Sequence, residues 1–220
     1  MLYIRAGYIK EKFNSSVYND PLEAMGNIFG KGVTKDDDVI VLLGPTGAGK
    51  STFLNSALGE DVARVGTTLS SCTSEVQIVK CPIPGARRQV ALVDTPAFNH
   101  GNVKIADIEK MIKKGLKEMY KRQIKVAGIL YVHRITDVRM TENPIRHLDT
   151  FHELCGGNQP AHKVILTTTM WANIDEETGG KRERELKDGC WKPMASQGSR
   201  VMRYHDTSES ARDIIRTLVG

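Results

Sequence analysis

The segment Gly44-Pro45-Thr46-Gly47-Ala48-Gly49-Lys50-Ser51 is a complete G-x-x-x-x-G-K-[ST] loop, and the residues before it, Val39-Ile40-Val41-Leu42-Leu43, form a continuous apolar run. A buried strand that enters such a turn and leaves through the helix-forming Thr52-Phe53-Leu54-Asn55-Ser56-Ala57-Leu58 restricts the chain to a small set of α/β folds. The loop turns its backbone N–H groups inward around a phosphate, which also sits on the N-terminus of the helix. Lys50 is expected to reach the β and γ oxygens of a nucleoside triphosphate, and the Ser51 hydroxyl to ligate Mg²⁺. Gly44, Pro45, Thr46, Gly47, Ala48, Gly49 and Thr52 complete the expected cradle. A glycine-rich solvent turn would explain the glycines alone, but not the strand and helix on either side.

With 220 residues and 40% hydrophobic content, the chain suits one α/β domain with a short extension. The formal charge of +5 is concentrated on single helices rather than spread as a patch. Ile105, Ile108, Ile112, Leu116 and Met119 recur at helical spacing, with Lys110, Lys113, Lys114, Lys117 and Lys121 between them, so a helix with a solvated basic face is predicted. Tyr120 is its one aromatic, too few for a base-stacking series, and no nucleic-acid partner is expected. Cys72, Cys81, Cys155 and Cys190 are widely spaced with no C-x-x-C pair and read as reduced thiols. No apolar run approaches the length of a transmembrane segment, and Met1-Leu2-Tyr3-Ile4-Arg5 lacks a signal-peptide core, so a cytoplasmic protein is expected.

Residues 1–36 read as an N-terminal extension packed on the domain in cis, ending in the polar run from Thr34 to Asp38, and residues 37–220 as the domain. Glu75 to Cys81 alternates polar and apolar, as a half-exposed strand does; Pro82 to Arg88 is turn material, and Gln89 to Asp94 a buried strand, together a hairpin. Further strands are predicted over 126–132, 163–168 and 200–204, and helices over 145–154 and 208–219. A charged helix over 176–197 should be irregular or broken by Gly179-Gly180, Gly189 and Pro193. Strands alternating with helices, plus one hairpin, describe a mostly parallel sheet covered on both faces.

Asp94-Thr95-Pro96 ends a buried strand where a doubly wound sheet brings a second acid beside the loop, so Asp94 is expected to hold Mg²⁺ through water. Between loop and acid lie Thr67, Thr68 and Thr73, hydroxyls suited to a switch that closes over the γ-phosphate; Thr73, just before the edge strand, is the preferred metal ligand. These motifs, with Tyr131-Val132-His133-Arg134-Ile135-Thr136-Asp137-Val138-Arg139-Met140, Thr168-Thr169-Met170-Trp171 and Trp191-Lys192-Pro193-Met194, resemble the septin-like and immunity-associated GTPases. The chain is most similar to the P-loop G-domain proteins of mushroom-forming fungi, over residues 39 to about 215. The resemblance implies a Ras-like P-loop NTPase fold with a six-stranded sheet, mostly parallel with one antiparallel edge strand. It also implies Mg²⁺, bound GTP or GDP, hydrolysis, and homodimerisation across the nucleotide face with a charge-stabilising arginine from the second protomer.

Two departures from the pattern bear on mechanism. The D-x-x-G switch reads Asp94-Thr95-Pro96-Ala97, followed by Phe98 where a water-orienting glutamine would stand, which predicts slow unassisted turnover. His100 or Asn99 is the nearest group able to position water, and His133 and Arg134 are expected at a strand end on the nucleotide side. The N/T-K-x-D base signature reads Thr169-Met170-Trp171-Ala172, and alanine accepts no hydrogen bond from guanine, so ATP or ADP is the alternative ligand. Thr169 lines the base end in this reading. Trp171 either stacks on the purine or packs in the core, Asp175 is a substitute acid, and Ser208 or a nearby backbone amide contributes from the last loop. Three functions follow: a Mg²⁺-dependent triphosphatase acting as a switch, a nucleotide-gated scaffold that hardly hydrolyses, and a kinase, which the hairpin disfavours.

Overall fold

In the computed structural model of the chain the described residues are 33–60, 77–95, 105–138 and 163–220. Six strands, β1 (Asp37–Leu43), β2 (Gln77–Cys81), β3 (Gln89–Asp94), β4 (Lys125–Arg134), β5 (Val164–Thr169) and β6 (Arg200–Arg203), form one sheet in the order β2-β3-β1-β4-β5-β6. β1, the apolar run of the sequence, pairs in parallel with β3 and β4, and β5 joins β4 to β6 in parallel. Only β2 runs antiparallel, as the edge half of the predicted hairpin, with Ile78 opposite Val93. The mostly parallel sheet with one antiparallel edge strand is therefore borne out. The helices are α1 (Lys50–Leu58), α2 (Ile105–Lys121), α3 (Glu176–Asp188), α4 (Lys192–Ser196) and α5 (Ser208–Val219), numbered over the described residues.

The sheet's two faces carry two cores. Ile40, Leu42, Leu130 and Val132 pack against Phe53 and Leu54 of α1 and Ile214 and Ile215 of α5. Val41, Leu43, Val93 and Tyr131 pack with Leu116 and Met119 of α2, Leu186 of α3 and Trp191. Because β1 is central and covered on both sides, every one of its residues is buried, and from Val39 on it reads as an unbroken apolar run rather than an alternation. One irregularity interrupts it. Val39 pairs with Val126 and Ile40 with Gly128, so β4 holds one extra residue, Ala127, against β1. α5 lies close to β4 there, and a Cβ built on Gly128 would stand 2.6 Å from Leu218 Cδ2.

Two boundaries differ from the sequence reading for physical reasons. β1 begins at Asp37 rather than Val39, because the buried acids are paired: Asp37 with Lys80 at 3.0 Å, and Asp38 with Lys125 at 3.0 Å and Arg88 at 3.4 Å. The charged segment 176–197 breaks at Gly189, not at Gly179-Gly180, which stay inside α3. A Cβ at Gly179 would meet the Trp171 ring at 2.7 Å, so this glycine serves packing rather than helix termination. Pro193 sits in the first turn of α4, where its missing N–H costs nothing. The predicted helix over 145–154 and residues 1–32 lie outside the described residues.

Candidate functional site

The phosphate loop joins the C-terminal end of β1 to α1 in the middle of the sheet. Gly44 has φ +144, and a Cβ there would lie 2.2 Å from the Val132 carbonyl oxygen, so the loop can leave the sheet only through a residue without a side chain. Gly49, at φ +94, caps α1 with no side-chain hydrogen bond, and no acid lies in the first turn. Gly49 thus offers no side chain of its own to the first-turn amides, which suits an anion site. α3 and α5 differ: Asp175 and Thr207 cap them through the N–H groups of Thr178 and Ser210. Thr169 Oγ donates toward the Ala48 carbonyl at 2.8 Å and lies 3.3 Å from that of His133, tying the loop to β4 and β5.

Lys50 is buried, and its ammonium donates to the carbonyls of Gly44 at 2.9 Å and Pro45 at 3.2 Å, folding back along the loop. Burial lowers its pKa to about 8, with nearby Asp94 acting in the opposite direction. Ser51 Oγ donates to Asp94 Oδ2 at 2.9 Å. The other oxygen, Asp94 Oδ1, is buried with no hydrogen-bond partner among the described residues. Burial raises the Asp94 pKa, while Lys50 and the Ser51 hydrogen bond oppose the rise. An unsatisfied carboxylate oxygen beside a serine hydroxyl and a loop of amides fits a hydrated Mg²⁺, which keeps several waters and shares its remaining ligands with phosphates. Among the described residues no group of three or more His, Cys, Asp or Glu forms a separate metal cage.

The structure thus brings together Gly44 to Thr52 and Asp94 at the phosphate end, with Thr169 beside them. Thr73 and His100, with Thr67, Thr68, Ala97, Phe98 and Asn99, lie outside the described residues. Trp171 is buried in a 3-10 turn, its Nε1 donating to Thr168 Oγ1 at 3.0 Å and its ring lying 3.9 Å beneath the Arg203 guanidinium. Ala172 is exposed beside it, Asp175 is occupied as the cap of α3, and Ser208 opens α5 on the far side of the His205-Asp206 loop.

Thr95 goes beyond the sequence reading, and the pair His133 and Arg134 departs from it. Thr95 is fully buried and donates to the Leu42 carbonyl at 2.8 Å, pinning the end of β3 beside β1 and so fixing Asp94; the strand order that reveals this cannot be read from its position alone. His133 and Arg134 were both expected toward the nucleotide, yet alternation along a strand separates them. The His133 ring packs on Trp191 at 5.8 Å, whereas Arg134 reaches the phosphate loop at Gly47.

Several solved structures share this fold. Toc33 from Arabidopsis thaliana in complex with GDP and Mg²⁺ is 18% identical, over 90% of this chain and 88% of that chain, with a TM-score of 0.62. Toc33 in complex with Mg²⁺ and GMPPNP gives 17% identity, 90% and 89% coverage and a TM-score of 0.59. Era from Aquifex aeolicus bound to GDP and AlF4⁻ gives 16%, 83% and 57%, with a TM-score of 0.58. At such identities these likenesses bear on the fold. No curated protein matches the sequence. Residues 39–168, more than half the chain, match the family described as 50S ribosome-binding GTPase, and with its loop lysine, strand-end acid and sheet order in place the chain belongs to that GTPase family.

Proposed function

We propose that the protein binds GTP with Mg²⁺ and hydrolyses it slowly to GDP and phosphate, acting as a nucleotide switch. The observation that carries this reading is the prearranged Lys50, Ser51 and Asp94 set: a buried ammonium on the loop and a serine–carboxylate pair with one oxygen unsatisfied. Mg²⁺, when bound, neutralises charge on the β- and γ-phosphate oxygens. Lys50 and the amides of Gly47 to Ser51 hold the phosphates in place, so that water adds in line to the γ-phosphorus as the bond to the β-phosphate oxygen breaks. Thr73 closes over the γ-phosphate in this reading, and His100 positions the attacking water. Neither Ala97 nor Phe98 offers a side chain for that task, which is why turnover is slow.

Guanine is favoured over adenine by the family match and by the GDP and GMPPNP complexes of the Toc33 neighbours. Thr169, Trp171 and Ser208 bound the base end, and Ala172 leaves guanine without its usual acceptor, so the preference should be modest. The septin-like and fungal G-domain resemblance and a cytoplasmic setting belong to the same reading. Among the described residues no helix is long and apolar enough to cross a membrane.

Equilibrium binding of fluorescent GTP and ATP analogues with Mg²⁺, with phosphate release followed in the same samples, tests this directly. Tenfold GTP preference and slow release, both lost in Lys50→Ala, are expected; absence of Lys50-dependent binding would exclude nucleotide function altogether. A second reading, a dimerising scaffold that hardly hydrolyses, is favoured by one further comparison. A neighbouring structure is described under the statement that dimerisation is important for the GTPase activity of atToc33 and psToc159, and another is a dimerisation-deficient arginine variant of Toc33. Release that rises with protein concentration would support pairing across the nucleotide face, and tight binding with negligible release at every concentration would identify the scaffold.

A further inference from the structure

β4 ends at Arg134, and the turn that follows is held from three sides. The Ile135 N–H donates to the Thr169 carbonyl at 3.0 Å and the Asp137 N–H to that of Arg134 at 3.2 Å. From α3, the Arg182 guanidinium donates to the carbonyls of Ile135 at 3.1 Å and Thr136 at 2.8 Å. A turn braced in this way delivers the Arg134 side chain along a fixed path, and its end lies against the phosphate loop. A Cβ built on Gly47 would stand only 3.3 Å from Arg134 Nη1. Gly47 is exposed at φ +73, so the loop's bare α-carbon makes room for the guanidinium. Asp137 fixes the other edge of the group, its carboxylate oxygens 3.1 and 3.0 Å from Arg134 Nε.

An arginine that served only as a surface partner for Asp137 would gain little from this position, because exposed pairs at this spacing contribute weakly. Here the pair aims a permanent cation at the middle of the loop, while Lys50 serves its first two residues. Its register partner on β5 is Thr169 and the next residue is Met170, both uncharged, so among these neighbours the positive charge at the loop comes from β4.

We propose that Arg134 is a nucleotide-retaining positioning residue: held by Asp137, it braces the phosphate loop at Gly47 and adds positive charge for bound nucleoside di- and triphosphate. The assignment rests on the nucleotide reading above. It is tested by dissociation of fluorescent GDP from wild type, Arg134→Ala, Arg134→Lys and Asp137→Asn, each at two protein concentrations a decade apart. Release about tenfold faster from Arg134→Ala is expected, as for loss of a charge-assisted contact. Arg134→Lys should restore part of the retention and Asp137→Asn should give a smaller change in the same direction, all independent of protein concentration. Release from Arg134→Ala at the wild-type rate, with binding still dependent on Lys50, would overturn the proposal and leave the GTPase reading intact. A change that grows with protein concentration would overturn it in favour of a role across a dimer. Wild type without Lys50-dependent binding would remove both readings.

Discussion

The phosphate end and the base end of this site are built on different principles. At the phosphate end, position is set by backbone: a glycine passing the Val132 carbonyl, a helix start without a side-chain cap, and a strand end pinned by Thr95. At the base end, position is set by side chains packing on one another. Trp171 lies under Arg203, which is bonded through two nitrogens to buried Glu183 at 3.1 and 3.0 Å and also to Glu176. The first arrangement leaves polar groups turned toward a ligand, and the second uses its polar groups on itself. In the proposed nucleotide reading, phosphate binding therefore draws on a prebuilt site, and base selection on whatever the Trp171–Arg203 stack leaves uncovered.

The most direct way to break that contrast is Lys50→Met. Nucleotide affinity should fall more than about a hundredfold by calorimetry, since a charged group on the phosphates is lost. The free protein should melt at a higher temperature near neutral pH, because a buried ammonium with a lowered pKa is a net cost to the fold. Retained affinity would show that the loop amides alone suffice. Gly44→Ala comes next. With the added carbon aimed at a backbone carbonyl, a loss of about 3 kcal/mol in denaturant unfolding is expected, against about 1 kcal/mol for Gly85→Ala, where nothing stands within 4 Å of the new carbon.

Arg203→Met probes the other end. Removing the guanidinium leaves buried Glu183 without its main partner and uncovers Trp171, a loss of about 2 kcal/mol in stability with unchanged affinity for the phosphates. If GDP affinity fell in parallel, the two ends would be coupled. Burial pushes the Glu183 carboxyl up, but hydrogen bonding to Arg203 and the charge of Lys187 more than offset this and hold it below the ordinary value. Its contribution to stability is thus present above the unfolded carboxylate range and is lost as pH falls through the lowered value.

Titration separates the ends more finely. Free Lys50 loses its proton above about pH 8, while phosphate oxygens would restore it, so binding in that range takes up a proton. Affinity should be flat below pH 8 and decline by at most about tenfold per unit above it, read from dissociation constants between pH 7 and 9.5. Lys50→Arg, charged throughout, should flatten the decline.

The contrast also explains what was legible in the sequence. Gly44 to Ser51 and Asp94 could be placed together because a phosphate loop after a buried strand fixes backbone geometry from local residues alone. The central strands were found because their apolar runs are dictated by burial on both faces, and β2 because one exposed face leaves an alternation. Core packing was one of two readings for Trp171, but its cover by Arg203 could not be read, since residues 171 and 203 meet only through packing between β6 and the turn after β5. The start of β1 was missed because Asp37 and Asp38 look like linker until Lys80, Arg88 and Lys125 are brought to them.

The extra residue at Ala127 acts like a frameshift written in space. A strand has only two sides, so inserting one residue exchanges the sides of everything after it. Without the bulge that takes up the extra residue, regular alternation would turn His133 rather than Arg134 to the phosphate loop, and an imidazole would replace the guanidinium at Gly47. Deleting Ala127 itself would leave Val126 opposite Val39 and Gly128 opposite Ile40, so Arg134 would keep its side and its charge its place at Gly47. Which side chain reaches the loop is thus set in part by a bulge at the opposite end of the same strand.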